Sequence, residues 1–220
     1  MVPESLREHR TETGSSASDA GFPLDPVGGV PYRTRVSERL YELIDLIREY
    51  ASAFPEERTT SSAFFHLLEA WPDALFRDHM PGHLTASAWV LSPDRSEVLL
   101  LHHRKLGKWL QPGGHADGDE DLVSVARREL QEETGLTAAP VVRQIFDLDI
   151  HDIPAFGSVP EHQHFDVRFR MIAGSRETPQ RNDESHAVRW HELIRMEELT
   201  DEESIRRMVA KSYSEPRSTE

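Results

Sequence analysis

Residues 114–136 read GHADGDEDLVSVARRELQEETGL, and this stretch decides the fold that the sequence predicts. Between 121 and 134 it contains no proline or glycine. Apolar residues recur there at every fourth position, at Leu122, Ala126 and Leu130. That period predicts a helix with one buried apolar stripe. An aspartate at 119 or 121 can cap the first turn, and Gly135 follows the last turn, where a left-handed residue is needed.

Three carboxylates share one face of this predicted helix. Glu129, Glu132 and Glu133 stand at positions i, i+3 and i+4, within one turn of each other. Their charges repel, and Arg128 supplies only one compensating positive charge. Oxygen ligands of this kind suit Mg²⁺ or Mn²⁺, hard ions that keep positions for water and phosphate oxygens. The alternative is a solvated, salt-bridged acidic face that holds no ion.

The loop before the helix favours the ion-binding interpretation. Residues 109–115 read WLQPGGH, with two adjacent glycines. Glycine adopts unusual dihedral angles and lets a backbone carbonyl come close to an ion. A strand, a glycine turn and an acidic helix therefore follow one another, which is the context that a metal-binding motif needs.

The same stretch resembles the Nudix box, the signature of the Nudix hydrolase superfamily. The box has the pattern G-x5-E-x7-R-E-U-x-E-E-x-G-U, where U is a bulky aliphatic residue. Every fixed position matches: Gly114, Glu120, Arg128, Glu129, Leu130, Glu132, Glu133, Gly135 and Leu136. The resemblance covers about residues 83–211, and its flanking stretches are similar to a mostly uncharacterised bacterial subgroup. It implies an α/β fold of the mixed α+β type, a Nudix α/β/α sandwich.

The resemblance also implies roles for the residues of the box. It assigns metal binding to one loop carbonyl and three carboxylates: Gly114, Glu129, Glu132 and Glu133. One of these carboxylates would act as the base, and Arg128 would orient Glu129 or Glu133. Glu120 would tie back to the helix by a salt bridge, and Gly135 would be structural. The implied reaction is attack of water on a phosphoanhydride bond in a nucleoside diphosphate linked to X, with Mg²⁺ or Mn²⁺ as cofactor.

Candidate substrate-binding residues lie outside the helix as well. Arg104, Lys105 and Lys108 concentrate positive charge before the glycine loop and can steer phosphate, or they are exposed charges at a hairpin end. His115 follows the box glycine and is expected to point toward the metals, where it contacts phosphate or only caps a turn. The resemblance also implies an extra acidic residue in a late loop that binds metal or acts as base. Its candidates are Glu161, Asp183 and Glu184, and Glu184 is preferred.

An alternating polar pattern marks a later strand. His162, His164 and Asp166 stand at i, i+2 and i+4, so a strand presents them on one face. The functional interpretation places this face in the substrate cleft, with a histidine donating to phosphate and Asp166 ordering it. A half-solvated strand without a site is the alternative.

Composition narrows the classes of function. The chain has 220 residues, a net charge of −14 and no cysteine. Such a charge argues against a nucleic-acid partner, because backbone binding draws on Lys and Arg patches. The sequence contains neither a membrane-spanning apolar run nor a secretory signal. We therefore expect a cytoplasmic enzyme that binds a small phosphorylated substrate and no membrane.

Four segments follow from the patterns along the chain. Residues 1–33, rich in Ser, Thr, Gly and Pro, predict a disordered arm. Residues 34–80 contain two helical stripes closed by Pro55 and Pro72, which predict an N-terminal helical extension. These helices can pack on the domain, form a homodimer contact or bind a partner. Residues 81–212 predict the Nudix hydrolase domain, and residues 213–220 a flexible tail.

A second function from a different class is open to a chain with this motif. It is a non-catalytic Nudix regulator that senses a nucleotide without hydrolysing it. Regulators of that kind tend to carry a degraded box and a basic DNA-binding domain. This chain shows neither feature, so the sequence favours the hydrolase.

Overall fold

The computed structural model describes residues 37–140 and 143–214. Within these ranges the helices are α1 (Glu38–Ala53), α2 (Arg58–Ala70), α3 (Leu122–Thr134), α4 (Met196–Leu199) and α5 (Glu203–Ser214). Short 3-10 turns occupy Pro55–Glu57, Pro72–Leu75 and Leu193–Arg195. The predicted arm at 1–33 lies outside the described residues, as do residues 215–220 of the predicted tail. No helix of the described ranges has the length and apolar composition that crossing a membrane requires.

The strands of the described residues join in one mixed sheet. They are β1 (Gly82–Leu91), β2 (Glu97–His103), β3 (Trp109–Leu110), β4 (Gly113–His115), β5 (Ala138–Pro140), β6 (Asp147–Ile153), β7 (His162–Ala173) and β8 (Ser185–Glu192). The order is β3-β2-β1-β7-β5, while β4 pairs with β1, β6 with β7 and β8 with β2. The pair β1 and β7 is parallel, and the other pairs are antiparallel. This topology confirms the mixed sheet that the resemblance implied.

The two sides of the sheet carry different chemistry. Successive residues of a strand point to opposite sides. A side chain at Gly114, which pairs with Ala86, would meet Glu129 of α3. The side of Ala86 is therefore the α3 face. On the opposite side, called the α5 face, Trp89 packs with Ile205 and Met208 in an apolar cluster.

The two N-terminal helices pack on the domain. The Ser37 hydroxyl caps α1 by accepting the N–H of Leu40 at 3.1 Å. On α2, Phe64 is fully buried and meets Phe165 of β7 edge to face, with ring centroids 5.2 Å apart. Of the roles left open by the sequence, packing on the domain is the one that the structure shows.

A buried ionic cluster lies on the α5 face, around Asp147 of β6. Its carboxylate is fully buried and pairs with Arg168 at 3.1 Å, Arg207 at 2.8 Å and Lys211 at 2.7 Å. The Lys211 ammonium also donates to the hydroxyl of Tyr50 at 2.6 Å. We call this group the Asp147 cluster. It joins β6, β7, α5 and α1 through charge-assisted hydrogen bonds.

Candidate active site and metal centre

The acidic helix forms with the ends that the sequence predicted. Asp121 caps it by accepting the N–H of Ser124 at 3.2 Å. Gly135 ends it in the left-handed region, at φ 69°. Only glycine adopts this conformation without conformational strain, so Gly135 fixes where α3 ends. Leu122, Ala126 and Leu130 are buried against the sheet, and the opposite edge of the helix presents the carboxylates.

The three box carboxylates differ in their surroundings. Glu133 is buried, with 6% of its surface exposed, and the side chain of Glu129 is 17% exposed. The side chain of Glu132 is 62% exposed. Arg128 donates to Glu129 at 2.9 Å and lies 3.9 Å from Glu132. Glu129 and Glu133 therefore face the glycine loop, whereas Glu132 borders solvent.

The glycine loop lies directly against these carboxylates. The N–H of Gly113 donates to Glu133 at 3.0 Å. A Cβ atom at Gly114 would lie 2.5 Å from the carboxyl carbon of Glu129, closer than real atoms approach. Gly114 therefore permits the close approach of the strand to α3, whereas a Cβ atom at Gly113 would collide with Ser87 and the backbone of Ala86 in β1.

The register of β4 corrects the expected carbonyl ligand. On the β1 side, Pro112 accepts the N–H of Ala88 and Ala116 donates to Leu84, which places Gly114 in the hydrogen-bonded set of this antiparallel pair. The carbonyl of Gly114 accordingly points toward β1. Gly113 points its backbone the other way, toward α3, as its N–H to Glu133 shows. The carbonyl directed toward α3 is therefore that of Gly113, one residue before the expected Gly114.

The electrostatics of this site fit a divalent cation. Burial raises the pKa of Glu133 to about 8, against the Gly113 hydrogen bond and with help from the charges of Glu129 and Glu184. Burial likewise raises the pKa of Glu129, although Arg128 opposes it. Carboxylates held together in this way resist ionisation until positive charge is supplied. The donor set of carboxylate and carbonyl oxygens suits Mg²⁺ or Mn²⁺.

Glu184 lies near the same group. It immediately precedes β8, and its charge raises the pKa of both Glu129 and Glu133. Its carbonyl accepts the N–H of Arg104 at 2.9 Å, which ties the loop to the tip of the β2–β3 hairpin. The structure therefore brings Glu184 together with the box carboxylates.

A family model for the NUDIX domain matches residues 81–212 of this chain. The chain belongs to the Nudix family. Phosphatase NudJ of Escherichia coli K12 is 59% identical over 60 residues, which make up 26% of this chain and 38% of NudJ. The match thus spans little more than a third of that relative.

Solved structures of Nudix proteins are also similar to this chain. A MutT protein from Methanosarcina mazei has a TM-score of 0.48 at 21% identity, covering 60% of this chain and 94% of its own. A NUDIX family hydrolase from Clostridium perfringens has a TM-score of 0.46 at 22% identity, covering 60% and 96%. The NUDIX domain of Shewanella oneidensis NrtR, solved with ADP-ribose, has a TM-score of 0.46 at 19% identity, covering 67% and 95%.

The first glutamate of the Nudix box has a different partner from the one expected. Glu120 accepts a hydrogen bond from the hydroxyl of Ser37, the residue that caps α1. Within the described ranges, no ion pair joins Glu120 to α3. Its structural role is therefore to fasten the N-terminal helix to the Nudix box.

The basic residues at the hairpin tip do not act as one patch. Lys108 pairs with Glu202 at 2.7 Å, on the side of α5. Lys105 lies 6.0 Å from the ring centre of Phe156. Arg104 is the residue tied to Glu184. Of the three, Arg104 is therefore the residue whose backbone is bound to the loop that carries Glu184.

The polar face of β7 lies on the opposite side of the sheet from α3. His164 pairs with His83, and Asp166 with Thr85, on the α5 face. The face expected in the substrate cleft therefore lies across the sheet from the carboxylates of α3. A substrate that contacted both the carboxylates of α3 and the polar face of β7 would have to extend around the edge of β4.

Asp166 is also engaged differently from the expectation. Its carboxylate is buried, and it accepts bonds from Thr85 at 3.0 Å, Ser87 at 2.8 Å, Gln111 at 3.3 Å and Arg168 at 2.7 Å. These partners belong to β1, β7 and the glycine loop rather than to a histidine. Asp166 thus holds the glycine loop from the α5 face through Gln111, which is only two residues from Gly113.

His83, His115 and His164 form a cluster on this side of the sheet. Burial lowers the pKa of His164 to about 2 and that of His115 to about 4, with a smaller contribution from neighbouring histidines and, at His115, from Arg77. The rings of His115 and His164 are therefore uncharged near neutral pH. Neutral rings contribute no positive charge to a bound phosphate. His115, moreover, turns toward His83 and His164, at centroid distances of 5.1 and 5.0 Å, and not toward Glu129.

Sequence reasoning missed several residues that shape this region. Gly113, Gln111 and Ser87 hold the glycine loop, and His83 completes the histidine group. Their partners are distant in sequence, so only the pairing register brings them together. The alternation of His83, Thr85 and Ser87 along β1 is the signal that could have indicated a second polar face.

Proposed function

We propose that this protein is a metal-dependent Nudix pyrophosphohydrolase that cleaves a phosphoanhydride bond in a small phosphorylated substrate, such as a nucleoside diphosphate linked to X. The observation that carries the proposal is the pair of buried carboxylates, Glu129 and Glu133, held against the backbone of Gly113. A solvated acidic face would leave these groups exposed. Their burial supports the ion-binding alternative.

Each residue of the Nudix box has a distinct part in this proposal. Glu129, Glu133 and the carbonyl of Gly113 would hold the ion, with Glu132 contributing through water because it borders solvent. When bound, Mg²⁺ or Mn²⁺ would activate the attacking water and neutralise the phosphate oxygens. Arg128 orients Glu129 and donates to the carbonyl of His115 at 3.2 Å, which fixes the loop on α3.

Substrate contacts are proposed at the rim formed by the hairpin tip and the β8 loop. Arg104 and Lys105 offer positive charge there, and Glu184 offers an additional carboxylate for a second ion or for the base. A phosphate chain between this rim and α3 would be held by the cationic side chains of the rim on one side and by metal ions bound to the carboxylates of α3 on the other. The proposal for Lys108 is weaker because Glu202 already pairs with it.

A substrate panel would test this function. Nucleoside triphosphates, dinucleotides, nucleotide sugars and small-alcohol diphosphates would be incubated with Mg²⁺ or Mn²⁺, and phosphate and pyrophosphate release measured. We expect turnover of at least one class, lost on chelation. Tight nucleotide binding without turnover of any class would favour the regulator instead.

Binding of Mg²⁺ is expected to depend on pH. The pKa of Glu133 is raised to about 8, so the ion must displace a proton from this group below that pH. Apparent affinity should therefore rise with pH and level off above about pH 8. Calorimetry in two buffers of different ionisation enthalpy would measure the released proton. Affinity that does not change with pH would contradict the assignment of Glu133 as a ligand.

Replacing Glu184 with glutamine is expected to lower kcat by less than the same change at Glu133, because Glu184 lies at the rim of the site. The substitution keeps side-chain volume and removes one negative charge. Asp183→Asn, at the neighbouring position, is the matched control and should leave kcat unchanged. Equal kinetics for the two variants would remove Glu184 from the proposed site.

A further inference from the structure

On the α5 face of the sheet, three histidines from three strands converge. His83 lies on β1, His115 on β4 and His164 on β7. One imidazole nitrogen of each lies within 4.8 Å of the others. Ring centroids are separated by 4.9 to 5.1 Å. The group is therefore compact although its members are far apart in sequence.

We propose that His83, His115 and His164 bind one transition-metal ion of the Zn²⁺ type, at a site separate from the carboxylates of α3. Neutral imidazole is the nitrogen ligand that such ions prefer, whereas Mg²⁺ prefers oxygen. A Zn–N bond measures about 2.0–2.1 Å, so the ligand nitrogens must approach each other by on the order of 1 Å. Small rotations of the rings supply that movement.

The hydrogen bonding of the rings supports this assignment. Nδ1 of His83 lies 3.3 Å from the carbonyl of His79, to which it donates when it carries the proton. That tautomer leaves a lone pair on Nε2, which is buried and, like the buried Nε2 of His164, has no hydrogen-bond partner among the described residues. Buried polar atoms are normally hydrogen-bonded, so two such nitrogens in one cluster indicate a ligand. A carbonyl behind the ring is also the usual support of a metal-binding histidine.

His162 of β7 lies beside the cluster, although its nitrogens are not within the 4.8 Å that holds for the other three residues. The ring of His162 stacks on His83 at 4.9 Å and lies 5.2 Å from His164. Its Nδ1 lies 2.9 Å from the carbonyl of Pro160, so Nε2 is left for the ion. Four nitrogens would complete the tetrahedral shell of a structural zinc site.

The charges around the cluster tolerate a cation. Arg77 lies close to His83 and His115 and opposes positive charge there. Its guanidinium, however, is paired with both carboxylate oxygens of Asp117. Asp117 offsets part of this effect, because its charge raises the pKa of His115. A bound ion would clamp β4, and with it the glycine loop, to β1 and β7.

Metal titration of the tag-free, full-length protein would test the site. Protein stripped with a chelator would be titrated with Zn²⁺, and with Co²⁺ as a spectroscopic probe, in excess Mg²⁺. We expect one equivalent of Zn²⁺ to bind and to raise the melting temperature. His164→Gln and His115→Gln should each weaken this binding by at least about tenfold, since loss of outer support alone costs about 10- to 100-fold.

Two controls make the outcome specific to the cluster. His66→Gln changes an exposed histidine of α2, and Glu133→Gln changes the box site, so both should still bind the equivalent of Zn²⁺. Absence of Zn²⁺ binding, equal binding by all variants, or loss in Glu133→Gln would each overturn the proposal. His115 and His164 are both half-buried and lie on different strands, so either variant tests the site if the other does not fold. The readout is stoichiometry, which is independent of the proposed hydrolase activity.

Discussion

Replacing Glu133 with glutamine is expected to lower turnover by at least ~10²-fold, the scale of losing one strong electrostatic stabiliser. The change removes a charge at nearly constant volume from the most buried carboxylate of the Nudix box. The N–H of Gly113 retains an oxygen acceptor, so the loop should stay in place. The measurement is kcat on whichever substrate the panel identifies, at saturating Mg²⁺.

Stability measurements separate a lost ligand from a lost fold. In chelator, Glu133→Gln should melt no lower than the wild type, because burial already disfavours the ionised carboxylate. The Mg²⁺-induced rise in melting temperature should disappear. Glu132→Gln, one residue away and largely exposed, is the matched control with a smaller expected loss. Near-normal turnover of Glu133→Gln would contradict the assignment of Glu133 as a metal ligand.

The acidic helix was predictable because every signal for it is local. Its apolar period, its capping aspartate and the glycine at its end all lie within one short stretch, and the structure reproduces α3 between them. The placement of Glu129 and Glu133 beside the glycine loop followed from the family pattern. Helical spacing fixes such neighbours without knowledge of the rest of the chain.

Two features differ from the sequence expectation: the glycine carbonyl that points at α3 and the side of the sheet that carries His164. Both differences have one physical cause, which is strand register. Whether the carbonyl of Gly113 or Gly114 points at α3 depends on the pairing of β4 with β1, and shifting that pairing by one residue reverses the answer. The same dependence determined which side of the sheet carries His164. The alternating pattern of β7 showed that its polar residues share a face, but not which helix covers that face.

The sequence alone could not predict which buried polar groups from distant segments pair with each other. Asp147 lies in a stretch that reads as an ordinary alternating strand, and nothing near it indicates burial. Its cationic partners come from β7 and from two positions of α5, Arg207 and Lys211. Only the tertiary fold brings these groups together, and their mutual pairing is what permits their burial.

Replacing Asp147 with alanine is expected to destabilise the fold by about 3–5 kcal/mol, because removing one partner of a buried ionic group leaves uncompensated charge. Arg168 is almost completely buried, so it must keep its other partners, Asp149 and Asp166. Lys211 would retain Glu57, at 2.7 Å, as its nearest carboxylate. Urea unfolding of the variant and the wild type would measure the difference.

An exposed pair provides the control for this prediction. Asp45 pairs with Arg48 on the surface of α1 at 2.7 Å, so Asp45→Ala should change stability by about 0.5 kcal/mol or less. Burial opposes ionisation of Asp147, but Arg207, Arg168 and Lys211 outweigh it and lower its pKa. A lowered pKa contributes stability that is full above the unfolded value of 3.8 and is lost as pH falls toward the folded value. Asp147→Ala should therefore flatten the acid side of the stability curve, and an unchanged curve with equal urea midpoints would show that the cluster contributes nothing to the fold.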